Sequence, residues 1–309
     1  MQHTWRPLKK NDKVRLIAPG AGSPITTQPS SNWHDLEKSC ELLRSWQLEP
    51  VFSPIIFGDN TSYYNFANTD QHRYDDFVDA FQSDAAAIWT FRGGYGSDRI
   101  VRALHKNTMT PSSPKLFIGF SDVTIIHSYL NQHWHLNTLH ALSARQLGLH
   151  LVNADDVEAT RKLIFGEKNT ASFTLTPLNT AATKKQEIIA PIAGGNLTLV
   201  QTSLGTPWQA PNQQTILLLE DVDEAPYRIA RILQQFLSNG FIDALAAIIL
   251  GDFMPEKNMD LVLQEFADQT VIPVLRYQGI GHGKHNHPIP LGSSASLSLG
   301  KEPQLIIPT

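Results

Sequence analysis

Within the first 120 residues, three short apolar runs, KVRLIAP (13–19), AAAIWTF (85–91) and KLFIGF (115–120), alternate with two stretches of helical periodicity, WHDLEKSCELLRSWQ (33–47) and DQHRYDDFVDAFQSD (70–84). Continuous apolar runs of this length suit strands buried on both faces. Strands that alternate with helices predict a mostly parallel sheet covered by helices on both sides, an α/β fold. Ligands on such sheets gather at the carboxyl ends of the strands. There the three runs end in conspicuous turns, APGAGSP, RGGYGSD and FSD.

The third turn places a lone hydroxyl at a hinge. Leu116, Phe117 and Ile118 read as a strand, while Ile125, Ile126, Tyr129 and Leu130 recur at helical spacing, so Ser121 falls where strand hands over to helix. Two readings fit. The serine can cap the helix, or it can stand above the sheet edge as a nucleophile with backbone N–H groups aimed at the same spot.

From about residue 169 to 187 the text becomes NTASFTLTPLNTAATKKQE, without sustained period, and reads as a linker. The expected units are therefore 1–168, carrying Ser121, a linker at 169–187, and 188–309. In the second unit Ile216 to Leu219 form a buried strand. Asp223 or Glu224 is placed to cap the next helix, with Pro226 in its first turn. Ile229, Ile232, Leu233, Phe236 and Leu237 line one face of that helix, and Gly240 ends it.

Glu220 closes the ILLLE strand, where a carboxylate follows four apolar residues. It can brace the following helix with Asp221, Asp223 and Glu224, or hold a histidine in one tautomer and stabilise its imidazolium. The densest of the twelve histidines are His282, His285 and His287 in GIGHGKHNHPIPLG. Gly281, Gly283 and Pro288 make this a loop, and no Asp, Glu or Cys lies among the histidines, so no metal is expected there. His282, between two glycines, can approach another part of the chain closely; His285 and His287 read as surface-loop residues. RGGYGSDR (92–99) matches neither G-x-G-x-x-G nor a P-loop. It is either a plain tight turn or a run of free N–H groups for an oxyanion, with Arg92 near enough to attract a carboxylate.

The chain has 309 residues, 41% of them hydrophobic, enough for two cores of an ordinary soluble protein. A net charge of −4 without basic runs argues against nucleic acid and anionic lipid as partners and leaves a small molecule or peptide. No window has transmembrane length, and the polar N-terminus lacks the apolar core of a signal peptide, so the expected location is cytoplasmic. The single cysteine, Cys40, has helical spacing to Leu36 and Leu43 and reads as a reduced core residue, which excludes disulfides within the chain.

Ser121, Glu220 and His282 occur in the order found in α/β-hydrolases, although GFSDV lacks the second glycine of G-x-S-x-G. Seven blocks, LIAPGAGSP, RGGYGSDR, IGFSDVT, AGGNLTLVQTSLGTPW, LLLEDVDEAPYRIARIL, AIILGDF and IPVLRYQGIGHGKHNHPIPLG, resemble in order the LD-carboxypeptidases, members of the serine peptidase family that also contains the microcin C self-immunity peptidases. The resemblance implies an N-terminal Rossmann-like domain and a C-terminal β-rich domain with the active site in the cleft between them. It implies Ser121 as nucleophile, Glu220 as orienting carboxylate and His282 as general base. The implied oxyanion donors are the backbone N–H groups of Asp122 and of Gly93 or Gly94. It further implies a homodimer without cofactor that removes the terminal D-Ala from muropeptide tetrapeptides. Candidate substrate contacts are Arg92, Tyr95, Trp208 and Arg228, the last equally readable as a surface salt-bridge partner. Phe91 and Ala141 depart from the family pattern, and these departures bear on the substrate pocket. A microcin-type amidase acting on peptidyl-nucleotides and a non-catalytic muropeptide-binding protein are the alternatives.

Overall fold

The computed structural model describes residues 5–22, 29–57, 66–107, 109–254 and 257–308. Ser23 and Pro24 of the first turn lie outside the described residues. The chain begins with β1 (Lys13–Ile17), α1 (Pro29–Ser45), β2 (Glu49–Phe52), α2 (Asp70–Gln82), β3 (Ala87–Thr90), α3 (Ser97–Asn107), β4 (Leu116–Gly119), α4 (Thr124–His133), β5 (Thr138–His140), α5 (Ala144–Gly148) and α6 (Ala154–Ile164). Strands β2-β1-β3-β4-β5 lie side by side and parallel, as the alternation predicts. Successive side chains of a strand point to opposite faces. Val14, Leu16, Trp89, Leu116 and Ile118 accordingly pack with Leu36, Cys40 and Leu43 of α1 and Leu163 of α6. Ile17, Ile88 and Phe117 pack on the other face with Phe77 and Phe81 of α2, Ile100 of α3 and Ile126 of α4. Phe91 and Ala141 are fully buried in the first of these cores.

The second sheet is built from β6 (Thr170–Thr174), β7 (Thr176–Pro177), β8 (Glu187–Asn196), β9 (Ile216–Val222), β10 (Ala247–Met254), β11 (Val274–Arg276), β13 (Ser294–Ser298) and β14 (Gln304–Pro308), in the order β6-β14-β13-β8-β9-β10-β11-β7. Its helices are α7 (Thr180–Thr183), α8 (Leu197–Thr202), α9 (Pro226–Ser238) and α10 (Met259–Asp268). Strands β8 to β11 are parallel and the flanking pairs antiparallel.

Three expectations change. The stretch 169–187 is no linker: it carries both edge strands of the second sheet, β6 and β7, together with α7. Ala171 and Phe173 of β6 are buried between exposed neighbours, so the strand is held by one apolar face. Next, β12 (Ile289–Leu291) leaves the C-terminal half and pairs antiparallel with β5, closing the edge of the first sheet. Last, Asp223 and Glu224 do not cap α9. Ala225 holds the cap position without a side-chain bond and Pro226 follows it, while Asp223 turns the chain at φ 61° two positions too early. Gly240, at φ 71°, does follow the helix end.

The two halves meet along α4. Asn196 N–H donates to Thr124 Oγ1 at 2.9 Å, and Gln132 Nε2 donates to the Gln209 carbonyl at 2.6 Å. Among the described residues, no helix is long and apolar enough to cross a membrane.

Candidate active site

Ser121 follows β4 at φ 67°, a left-handed conformation that costs a residue with Cβ about 1–2 kcal/mol. It opens a single 3-10 turn, Ser121–Val123, and α4 starts beyond it on Val123 with no side-chain cap. The capping role is therefore not the one its hydroxyl serves. Ser121 stays partly exposed, whereas its neighbours Phe120 and Asp122 are buried. The Asp122 carboxylate accepts the Ser97 N–H at 2.9 Å, fastening the serine turn to the turn after β3. Burial pushes the Asp122 carboxyl above its ordinary range, and the hydrogen bonds from Ser97 oppose this.

The RGGYG turn crosses directly over the serine. A Cβ on Gly93 would stand 3.0 Å from Ser121 Cβ and 3.1 Å from its Oγ, so glycine lets the backbone lie close to the hydroxyl without crowding. The Gly93 carbonyl accepts the Ala21 N–H at 3.0 Å, and Gly94 takes φ 99°. This joins the ends of β1 and β3, where the strand order of the first sheet reverses and where such sheets bind ligands. Arg73, unnoticed in the sequence, is fully buried and donates from Nη1 to the carbonyls of Pro19 and, at 3.0 Å, Gly96, holding both turns.

Arg92 is half-buried, and its Nη1 reaches the Gly22 carbonyl at 3.4 Å. Among the described residues it forms no ion pair with a carboxylate. Burial, followed by the nearby Arg145 charge, lowers its pKa, although it remains a cation. Tyr95 is exposed, with its ring 5.6 Å from Phe66.

The alternation along β9 separates the two carboxylates of LLLED. Glu220 lies on the face of Ile216 and Leu218, fully buried, and its Oε2 meets His282 Nδ1 at 2.7 Å. Asp221 turns the other way and accepts the Thr198 N–H at 3.0 Å and the Asn196 amide at 2.8 Å. Bracing of a helix start is thus done by Asp221, for α8, and not by Glu220. Burial raises the Glu220 pKa and His282 partly offsets it. Burial lowers the His282 pKa, but the charge and hydrogen bond of Glu220 outweigh it and hold the imidazole above its ordinary value. Gly281, at φ 119°, makes the contact possible, since a Cβ there would come within 2.5 Å of Glu220 Oε2. The His282 ring lies 4.7 Å from that of Phe120, the residue before Ser121. Glu220 and His282 of the second half thereby meet beside Phe120, which precedes Ser121 in the first.

Nearby lies His140, fully buried, with neither ring nitrogen partnered among the described residues and its ring 5.7 Å from Phe120. Burial, with help from the His127 and His282 charges, lowers its pKa to about 3. No local signal marks it in the sequence. Trp208 packs against the helices of the first sheet, with its ring 5.6 Å from His105. Arg228 is exposed on α9 and pairs with Glu224 at 3.4 Å, the surface role the sequence left open. His285 and His287 are only partly exposed and face the fully buried Asp156 of α6.

The LD-carboxypeptidase N-terminal domain family matches residues 14–141, and the LD-carboxypeptidase C-terminal domain family matches residues 190–297. A Rickettsia conorii homologue is 36% identical over 306 residues, covering 96% of this chain and 91% of the relative. The murein tetrapeptide carboxypeptidase of Pseudomonas aeruginosa is 30% identical over 311 residues, covering 95% of each. Two solved structures share the fold: a muramoyltetrapeptide carboxypeptidase from Oxalobacter formigenes, with TM-score 0.77 at 24% identity over 96% of this chain and 99% of that one, and an MccF-like protein from Bacillus anthracis, with TM-score 0.81 at 18% identity over 99% of each. Both family domains match in order, and the relatives align over nearly the whole length of the chain, which therefore belongs to the LD-carboxypeptidase family.

Proposed function

We propose that this chain is a serine carboxypeptidase that removes the terminal D-Ala from muropeptide tetrapeptides, cleaving the bond after the L-centre of a diamino acid. The observation that carries the reading is the buried 2.7 Å contact between Glu220 and His282, set beside Phe120 and the strained turn of Ser121. Ser121 Oγ attacks the scissile carbonyl and His282 takes its proton, while Glu220 supports the imidazolium. The backbone N–H groups of Asp122 and Gly93 receive the oxyanion, each donor worth about 2.7–4 kcal/mol in the transition state. The close approach of Gly93 to the serine favours it over Gly94. His282 then protonates the departing D-Ala amine, and water resolves the acyl-enzyme by the same route. Arg92, a half-buried cation without a carboxylate partner among the described residues, suits the substrate's terminal carboxylate.

Action on a peptidyl-nucleotide calls for an aromatic platform. Trp208 is engaged with His105, and Tyr227 is exposed on α9 against Arg231, so neither favours that reading. A cytoplasmic homodimer belongs to the proposal, with light scattering as the check on the dimer. Incubating pure protein with a muropeptide tetrapeptide and following free D-Ala by mass spectrometry tests the reaction. Release by the wild type but not by Ser121→Ala is the expected result, and release by both would overturn the nucleophile.

A further inference from the structure

The loop that carries His282 continues through His285 and His287, for which no carboxylate is available nearby in sequence. Tertiary structure supplies one. Asp156 of α6, fully buried, places Oδ1 3.4 Å from His285 Nδ1 and 3.3 Å from His287 Nε2. The three side chains offer donor atoms that all lie within 4.8 Å of one another.

The two separations are long for charge-assisted hydrogen bonds, which settle at about 2.7–2.9 Å. They match another geometry. Zinc bonds to nitrogen and oxygen of about 2.0–2.1 Å, opened at the tetrahedral angle, set neighbouring donor atoms about 3.3–3.4 Å apart. The remaining atoms of the cluster are arranged as supports. Asp156 Oδ2 accepts the Asn286 N–H at 3.1 Å, which leaves Oδ1 to face the histidines. His287 Nδ1 lies 2.9 Å from Tyr277 Oη; with that nitrogen donating to the phenol oxygen, Nε2 carries the free lone pair a metal needs. The His285 and His287 rings are stacked, 5.5 Å apart and 13° from parallel. His287 and Tyr277 also line a cavity of about 290 Å³ beside the cluster.

We infer that Asp156 Oδ1, His285 Nδ1 and His287 Nε2 form a site for one divalent transition-metal ion of the zinc type, which ties the His282 loop to α6. The site is separate from Ser121, Glu220 and His282 and stands whatever their reaction is.

The test uses untagged full-length protein stripped with chelator and titrated with Co²⁺, then Zn²⁺, followed by visible absorption and elemental analysis after dialysis. One equivalent of Co²⁺ with the intense visible bands of four-coordinate geometry, displaced by one equivalent of Zn²⁺, is the expected result. His285→Gln, at a partly exposed position, should weaken binding at least 100-fold with circular dichroism unchanged, and Asp156→Asn should do the same if it folds. Tyr277→Phe should weaken it about 10–100-fold by freeing the His287 ring. Absence of the cobalt bands in the wild type, or wild-type affinity in His285→Gln, would overturn the site.

Discussion

His282 Nδ1 and Glu220 Oε2 stand 2.7 Å apart across 62 positions of sequence, with the carboxylate fully buried. That contact holds the imidazole pKa above its ordinary value of about 6.5. A general base must be neutral, so kcat/KM should fall on acidification with a midpoint above that value. In Glu220→Gln the raising charge is gone and burial remains, so the midpoint should move to lower pH while kcat drops. A pH profile of D-Ala release measures both; an unmoved midpoint would mean that Glu220 does not set the histidine's proton affinity.

Ser121 holds a left-handed backbone that glycine adopts without strain. Ser121→Gly should abolish turnover yet raise stability by roughly 0.5–1 kcal/mol, the released strain less the extra freedom of glycine in the unfolded chain. Urea midpoints of the two proteins decide it. A loss of stability would show that the hydroxyl, and not the turn, is what the fold needs.

Gly281 leaves space for Glu220 that a methyl group would fill, 2.5 Å from Oε2, at a φ of 119°. Gly281→Ala should lower kcat about 100-fold through displacement of His282 by about 1 Å, with a smaller change in KM. Steady-state kinetics with the tetrapeptide would show a split of that kind.

Two arginines should separate cleanly. Arg92→Ala should raise KM at least tenfold, because its half-buried charge has no carboxylate to pair with among the described residues other than one that substrate brings. Arg228→Ala removes only an exposed, solvent-screened pair with Glu224 and should leave KM within twofold. Equal effects would contradict the assignment of Arg92.

Acid should destabilise the fold through histidines buried in the neutral form. His127 Nε2 donates to the Gly119 carbonyl at 2.9 Å, and burial lowers the imidazole pKa to about 4. Its folded-state value lies below the unfolded value of about 6.5, so its contribution is complete above pH 6.5 and is lost as pH falls toward 4. The loss amounts to about 3 kcal/mol at the acid end. Urea midpoints between pH 7 and 4.5 should fall more steeply for the wild type than for His127→Gln.

Much of the architecture is written locally. The apolar runs ending at Pro19, Phe91 and Phe120 become β1, β3 and β4, and the turns that follow them meet at the carboxyl edge of one sheet. Strand and helix patterns repeat within about four residues, so a short window of sequence carries them. The same windows mark Ser121 at a hinge, Glu220 at a strand end and His282 between glycines. What they leave open is orientation: Glu220 and Asp221 are adjacent acids, and only the pleat of β9 sends one to His282 and the other to α8. The edge strand β6 is hidden in Thr-rich text, since polar side chains on its outer face dilute the apolar signal. Strand β12 has three residues, and its partner β5 lies in the other half of the chain. Arg73, His140 and Asp156 carry no local signature at all. They act on Gly96, 23 positions away, on a ring from the neighbouring strand, and on a loop 129 positions away. Local periodicity and turn chemistry sufficed for the elements, whereas the site depends on contacts across long stretches of chain, which exist only after the two sheets have docked along α4.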